Sequence, residues 1–190
     1  MNWILASGSP RRRELLEMLG VPDLTIRPAT GPERATPGAG PEQTVRELSL
    51  HKAQEVAQTC APEDIIIAAD TIVYLDGAIL GKPKDHDDAV RMLTALSGRE
   101  HIVYTGVAVL RGGELRQAAE HTAVRFRALT PAEIERYIAT GEPMDKAGAY
   151  GIQGRGALFV AHLYGDYFNV MGLPLCRLGQ LLNELGVELL

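Results

Sequence analysis

The order of apolar and polar residues along the chain predicts alternating strands and helices. Apolar runs favour strands, and apolar residues spaced three and four apart favour amphipathic helices. The predicted strands are WILAS, DIIIAADTIVYL, HIVYTGVAVL and HTAVRFRAL, and the Asp-Gly pair in LDGAIL predicts a hairpin. The predicted helices are PRRRELLEML, a segment from about Glu42 to Gln58, DHDDAVRMLTALSG, TPAEIERYIATG and LPLCRLGQLLNELG. Because hairpins occur beside helical crossovers, we predict one α/β domain over residues 1–190, with a mixed twisted sheet and flanking helices.

Local signals fix several boundaries of these elements. Ser9 is a preferred N-cap before the first helix, and Gly20 provides a left-handed stop after it. Thr130 and Glu133 have the spacing of a capping box. Residues 27–43 are rich in Pro, Gly and Thr and predict a long loop, which in a compact domain indicates a functional segment.

Composition narrows the class of protein. The formal net charge is −5, which argues against a general binder of nucleic acid polymers. Two cysteines, Cys60 and Cys176, are too few for a disulfide framework or a zinc site. No apolar run approaches the roughly 18 residues of a membrane span, and no signal peptide is visible at the start. We therefore expect a cytoplasmic protein without a membrane partner.

Three consecutive arginines, Arg11, Arg12 and Arg13, lie in the first turn of a predicted helix. Cations are unfavourable there because a helix N-terminus already carries partial positive charge. The free N–H groups and guanidinium groups would together suit a bound oxyanion. The alternative is a solvated basic turn.

Two charged residues interrupt apolar patterns. Lys52 falls on the apolar stripe of the second helix, where its ammonium either extends to water or faces a bound anion. An unpaired ammonium on that face would be costly, so removing it is expected to stabilise the ligand-free fold. Asp70 interrupts the buried run IIIAADTIVYL and requires a cation, a metal or hydrogen bonds in compensation. It is a candidate metal ligand or base.

A further lysine and a glycine-rich segment are also candidate parts of an anion-binding site. Lys82 lies in LGKP, which lacks the spacing of a phosphate-binding P-loop, and GAYGIQGRG lacks the dinucleotide-binding spacing. The histidines show no metal-ligand spacing, so any metal would be held by oxygens, which favours Mg²⁺ or Mn²⁺. Together these residues suit a metal-bound polyphosphate.

Four motifs in register, LASGSPRRRELLEMLG, AADTIVYLDGAILGKP, DKAGAYGIQGRG and YFNVMGLPL, resemble the Maf family of nucleoside triphosphate pyrophosphatases. The resemblance covers nearly the whole chain. It implies a fold similar to the inosine triphosphate pyrophosphatases, with two lobes around a cleft. It also implies metal-dependent hydrolysis of a nucleoside triphosphate to the monophosphate and pyrophosphate, which clears unwanted nucleotides from the pool, and a homodimer.

The family pattern also implies roles for individual residues. Asp70 matches the catalytic carboxylate and a metal ligand, and Glu33 matches a second metal ligand. The phosphate-facing positions correspond to Ser7, Arg11, Arg12, Lys52 and Lys82. The segment ATGPERA departs from the usual paired acids and is shifted by a residue, which affects the assignment of Glu33.

Substrate choice within the family is implied by Arg11, Thr71 and Gln153, which match the branch that acts on dTTP and UTP. A glutamine amide offers both a donor and an acceptor, which suits the uracil edge. The alternatives are a pyrophosphatase for methylated GTP or other modified nucleotides, and a nucleotide-sensing regulator of cell division that does not catalyse.

Overall fold

The computed structural model describes residues 1–190 and contains seven strands and six α-helices. The strands are β1 (Trp3–Leu5), β2 (Thr25–Ile26), β3 (Ile65–Leu75), β4 (Ala78–Leu80), β5 (Glu100–Arg111), β6 (Glu114–Phe126) and β7 (Val160–Tyr164). The α-helices are α1 (Pro10–Met18), α2 (Pro41–Ala57), α3 (His86–Leu96), α4 (Pro131–Ile138), α5 (Tyr167–Met171) and α6 (Leu175–Glu184). Short 3₁₀ turns occupy Glu142–Asp145, Ala147–Ala149 and Gly154–Phe159.

The strands form one mixed sheet in the order β2-β1-β3-β5-β6-β7, with β4 paired to β3. Strand β1 is parallel to both β2 and β3, with Ile4 opposite Thr25 on one side and Ile66 on the other. The pairs β3–β4 and β6–β7 are antiparallel. The predicted α/β class with a mixed sheet and flanking helices is confirmed.

Several elements differ from the sequence prediction. Strand β6 begins at Glu114, well before the predicted HTAVRFRAL. The sequence did not predict the first half of β6 because that half is only partly buried and lacks apolar alternation. Strand β2 and helix α5 are too short to show a period. Ser9 occupies the N-cap position of α1 as predicted, but its side chain makes no capping hydrogen bond. Thr130 and Glu133 form the predicted capping box.

The chain forms two compact units from alternating segments. Unit 1 comprises Met1–Asp70, Thr105–Glu120 and Gly172–Leu190. Its core includes a cluster of small and aliphatic residues from β1, α2, β3 and β5. Gly106 is required where β5 meets α2, because a Cβ atom there would lie 2.1 Å from the carbonyl oxygen of Val45. This close approach holds α2 directly against the strand.

Unit 2 comprises Thr71–Tyr104 and His121–Met171. Its core contains aromatic rings in edge-to-face contact, among them Phe126, which packs against His101, Tyr150 and Phe159. His101 is 2% exposed, and its Nε2 atom lies 2.7 Å from the Tyr150 hydroxyl. No helix of the structure is both long enough and apolar enough to cross a membrane.

Candidate active site

Unit 1 places Asp70 and Lys52, the two residues that interrupt apolar patterns, in direct contact. Asp70 lies within β3 and is 7% exposed, and Lys52 projects from α2. The Lys52 ammonium donates a hydrogen bond to Asp70 Oδ1. The cost of burying the Asp70 carboxylate is therefore offset by a cation, one of the compensations that the sequence required. Counting side-chain atoms alone, 19% of Lys52 and 11% of Asp70 are exposed, so solvent screens this pair weakly.

Glu33 joins the same group through Lys52, whose Nζ atom lies 2.8 Å from Glu33 Oε1. Glu33 lies on the loop between β2 and α2, and its side chain is 63% exposed. The structure thus brings together the two residues that the resemblance assigned to metal binding, despite the irregular spacing of the ATGPERA segment. One ammonium group bridges both carboxylates.

Two glutamates of α2, which the sequence analysis did not identify, hold the loop that carries Glu33. Glu55 accepts hydrogen bonds from the backbone N–H groups of Thr30, at 2.7 Å, and Gly31, at 3.0 Å. Glu47 accepts from the backbone N–H of Thr36 at 2.6 Å. These backbone hydrogen bonds lower the pKa values of both glutamates. The loop is therefore fixed to α2 on both sides of Glu33.

Arg12 is anchored inside unit 1. Its Nε donates to the carbonyl oxygen of Gly172 at 2.7 Å, and another guanidinium nitrogen donates to Ser7 Oγ at 2.9 Å. Burial lowers the pKa of Arg12, and the negative charges of Asp70 and Glu33 oppose this shift. The guanidinium thus adds positive charge beside the two carboxylates, and Ser7 orients it.

The three consecutive arginines have different surroundings. Arg13 pairs with Glu17 one turn along α1, at 2.7 Å, and 59% of its side chain is exposed. Arg12 is anchored as described, and Arg11 precedes both in the first turn of α1. For Arg13, the alternative of a solvated basic residue is therefore correct.

The donor set of unit 1 fits a hard divalent cation bound together with substrate. Asp70 and Glu33 already direct carboxylate oxygens at one cation, the Lys52 ammonium. The chain contains no group of three or more His, Cys, Asp or Glu residues placed to hold a metal. Mg²⁺ and Mn²⁺ take carboxylate oxygens and complete their coordination with water and phosphate oxygens. Asp70 and Glu33 are therefore the residues of this group that could hold such a cation.

The remaining predicted site residues, Thr71, Lys82 and Gln153, lie in unit 2. Thr71 is half-buried in β3, immediately after Asp70 in the chain, and Lys82 is exposed on a bend after β4. Gln153 is half-buried and precedes a 3₁₀ turn. The backbone N–H of Gly148 donates to the carbonyl oxygen of Gly81 at 3.0 Å, which connects the segment before Lys82 to the glycine-rich segment.

The model of the family described as Maf-like protein matches residues 2–185 of the chain. The chain belongs to the Maf-like family. This membership confirms the resemblance that the four motifs indicated.

Relatives of this Maf-like chain share about half of its residues. It is 52% identical over 187 residues to the dTTP/UTP pyrophosphatase of Moorella thermoacetica, covering 97% of this chain and 95% of the relative. It is 51% identical over 183 residues to the dTTP/UTP pyrophosphatase of Symbiobacterium thermophilum, covering 96% and 93%. Both alignments therefore span nearly the full length of each protein.

A solved structure shares the fold of this Maf-like chain. The Ham1 protein of Staphylococcus aureus aligns with a TM-score of 0.50 at 13% identity, covering 82% of this chain and 78% of that one. At this identity the likeness concerns the fold alone.

Proposed function

We propose that this chain hydrolyses dTTP and UTP to the nucleoside monophosphate and pyrophosphate. The observation that carries the proposal is the group of Asp70, Glu33, Lys52 and Arg12 in unit 1, in a chain about half identical to proteins named dTTP/UTP pyrophosphatase. Paired carboxylates beside anchored cations suit an anionic substrate whose reaction needs charge neutralisation and positioning.

The residues in and around this group divide into a general base and phosphate-binding cations in the proposed reaction. Asp70 accepts a proton from the attacking water as general base. Lys52 and Arg12 donate hydrogen bonds to phosphate oxygens, and Arg11 adds charge at the N-terminus of α1. For Lys52 this requires its ammonium to exchange carboxylate partners for phosphate oxygens. Ser7 keeps the guanidinium of Arg12 oriented.

A divalent metal, Mg²⁺ or Mn²⁺, is part of the proposal. Asp70 and Glu33 would hold it through carboxylate oxygens. When bound, it would supply positive charge that offsets the developing negative charge of the phosphates. Lys52 and Arg12 would both orient the phosphates and neutralise the charge that the metal does not offset.

Three residues of unit 2 are proposed to bind other parts of the substrate. We assign Lys82 to the phosphates, and Thr71 and Gln153 to the base, on the family pattern alone. A glutamine amide can pair with a carbonyl and with the N3–H of uracil or thymine, whereas a carboxylate could only accept. The cytoplasmic setting and the homodimer stay predictions from the sequence.

A substrate panel tests this function. The purified chain is incubated with dTTP, UTP, CTP and methylated GTP, with Mg²⁺ or Mn²⁺, and pyrophosphate release is measured. The proposal expects release from dTTP and UTP, little from the other two, and none when the metal is chelated. Preference for methylated GTP would instead support the alternative function, a pyrophosphatase for methylated GTP. Nucleotide binding without release would support the non-catalytic regulator.

A further inference from the structure

The segment that carries Gln153 is held by one carboxylate, that of Glu142. Glu142 Oε2 accepts a hydrogen bond from the backbone N–H of Arg155 at 3.0 Å, and its Oε1 accepts from the backbone N–H of Gly156, also at 3.0 Å. These two donors lie in the first turn of the 3₁₀ segment Gly154–Phe159, which directly follows Gln153. A single side chain therefore fixes the backbone on the C-terminal side of Gln153.

The hydroxyl of Tyr137 connects Glu142 to the other side of Gln153. It donates to Glu142 Oε1 at 2.9 Å and accepts from the backbone N–H of Gly151 at 3.2 Å. Tyr137 is 4% exposed on α4, and its ring packs edge-to-face against Phe159 with centroids 4.9 Å apart. The hydroxyl thus has a fixed position and ties the N-terminal side of the segment to the same carboxylate.

The glycines around Gln153 follow from this arrangement. A Cβ atom at Gly154 would lie 2.8 Å from Glu142 Oε2, and one at Gly156 would lie 2.3 Å from the carbonyl oxygen of Gly151 and 2.7 Å from the Tyr137 hydroxyl. Gly154 also has a φ of 72°, in the left-handed region that favours glycine. The segment therefore packs closely against Glu142 and Tyr137. This packing explains why Gly154 and Gly156 are glycines, whether or not a ligand binds there.

The charge of Glu142 is maintained in this position. Although burial raises the pKa of Glu142, the hydrogen bonds from Arg155, Gly156 and Tyr137 outweigh it and hold the pKa below its usual range. The ionised carboxylate can accept all three hydrogen bonds, whereas a neutral amide has one accepting oxygen. The arrangement thus depends on the carboxylate form.

From these contacts we infer that Glu142, together with Tyr137, is a positioning residue that holds the Gln153 segment in the form that selects the base. The inference rests on the proposed function. Neither residue has a phosphate-binding role in the proposed reaction. Their loss should therefore alter the choice of base more than the capacity for phosphate hydrolysis.

The test compares Glu142→Gln and Tyr137→Phe with the matched control Glu133→Gln. Glu133 is also a carboxylate of unit 2 that accepts a backbone hydrogen bond, but its partners are Thr130 at the cap of α4 and the guanidinium of Arg127, rather than the backbone of residues 151–156. Two quantities are measured below the melting temperature of each variant. One is the amide hydrogen exchange of peptides covering residues 151–156, and the other is kcat/KM for dTTP and for methylated GTP.

For Glu142→Gln we expect faster exchange at Arg155 and Gly156, and a preference for dTTP over methylated GTP that falls by about tenfold, mainly through KM for dTTP. Tyr137→Phe should show the same pattern with a smaller change. The double variant should be little worse than Glu142→Gln, because both residues act through one network. Glu133→Gln should lower the melting temperature and leave the preference unchanged.

Unchanged exchange in both variants would overturn the inference, as would faster exchange with an unchanged preference. An equal shift in Glu133→Gln would also overturn it, because the shift would then follow general destabilisation. If the wild-type chain hydrolyses none of the nucleotides, the proposed function fails, and the exchange measurement alone decides whether Glu142 orders the segment.

Discussion

The ammonium of Lys52 donates a hydrogen bond to the carboxylate of Asp70, which lies 18 residues further along the chain. The same ammonium reaches Glu33 at 2.8 Å. A side chain of the protein thus lies between two candidate metal ligands. Substrate and metal binding must therefore both compete with this ion pair.

Replacing Lys52 with methionine should destabilise the fold. Methionine retains the apolar stem but leaves Asp70 in β3 without its cation, and breaking a buried pair from one side costs about 3 kcal/mol. Chemical denaturation measures the free energy of unfolding. The double variant Lys52→Met/Asp70→Asn serves as the control and should recover part of the loss, because it removes both partners of the ion pair instead of one. Equal stability of wild type and Lys52→Met would contradict the pairing.

Gly106→Ala should be the most damaging alanine substitution at a glycine of unit 1. The new methyl would lie 2.1 Å from the Val45 carbonyl oxygen, so α2 would have to move away from β5. We expect destabilisation near the upper end of the range of about 1–3 kcal/mol for overpacking. Activity should also fall, since α2 carries Lys52.

The control for this substitution is Gly179→Ala, in α6, where an added Cβ atom meets nothing within 4 Å. It should stabilise the chain by about 0.5–1 kcal/mol, because alanine is the better helix former. Thermal denaturation of both variants gives the comparison. Similar melting temperatures would mean that β5 and α2 are not in close contact.

The neighbouring arginines Arg11 and Arg13 should differ in their effect on substrate binding. Arg13→Ala removes only an exposed pair with Glu17, so KM for dTTP should stay near the wild-type value. Arg11→Ala should raise KM at least about tenfold, because a charge-assisted hydrogen bond to phosphate contributes roughly 1.5–3 kcal/mol. Steady-state kinetics measure both. Equal effects would remove the distinction between the two side chains.

Acid should destabilise unit 2 through His101. Burial lowers the pKa of His101 to about 4, from an ordinary value near 6.5. Below pH 6.5 the unfolded chain takes up a proton on this residue and the folded chain does not, so stability falls until about pH 4. The expected contribution is about 3 kcal/mol over that interval.

The variant His101→Gln isolates this effect. Glutamine retains a hydrogen-bonding group for the Tyr150 hydroxyl and does not titrate, and burial raises the pKa of Tyr150 so that it stays neutral. The free energy of unfolding is measured from pH 7 to pH 4 for both proteins. The wild type should show the steeper loss, and parallel curves would mean that folding does not lower the pKa of His101.

The sequence was sufficient to predict the class of fold and most elements, because apolar periodicity determines both. It also indicated Lys52 and Asp70 separately, as charges in apolar patterns. It did not indicate that they pair with each other, since this depends on how α2 packs on the sheet. The expectation that removing Lys52 would stabilise the ligand-free fold was based on an unpaired ammonium, and the structure reverses its sign.

The residues that support the site were beyond reach of the sequence analysis for a related reason. Glu47 and Glu55 have the pattern of ordinary exposed helix glutamates, and Glu142 has that of a loop acid. Their roles arise from backbone N–H groups of distant segments, which carry no side-chain signature. The only signal for Glu142 in the sequence was its position shortly before a glycine-rich segment.

The role of Asp70 as the catalytic carboxylate is tested most directly by measuring pyrophosphate release from dTTP by Asp70→Asn and by Asp64→Asn. Both aspartates are buried, at 7% and 5% exposure, but Asp64 only accepts hydrogen bonds from Asn2 and Ala61 before β3 begins. Asp70→Asn should lose activity by about a hundredfold or more, the scale of a lost general base, while remaining folded. Asp64→Asn should lose stability and keep turnover below its melting temperature. Activity of Asp70→Asn above about a tenth of the wild-type value would contradict the assignment of Asp70 as the catalytic carboxylate.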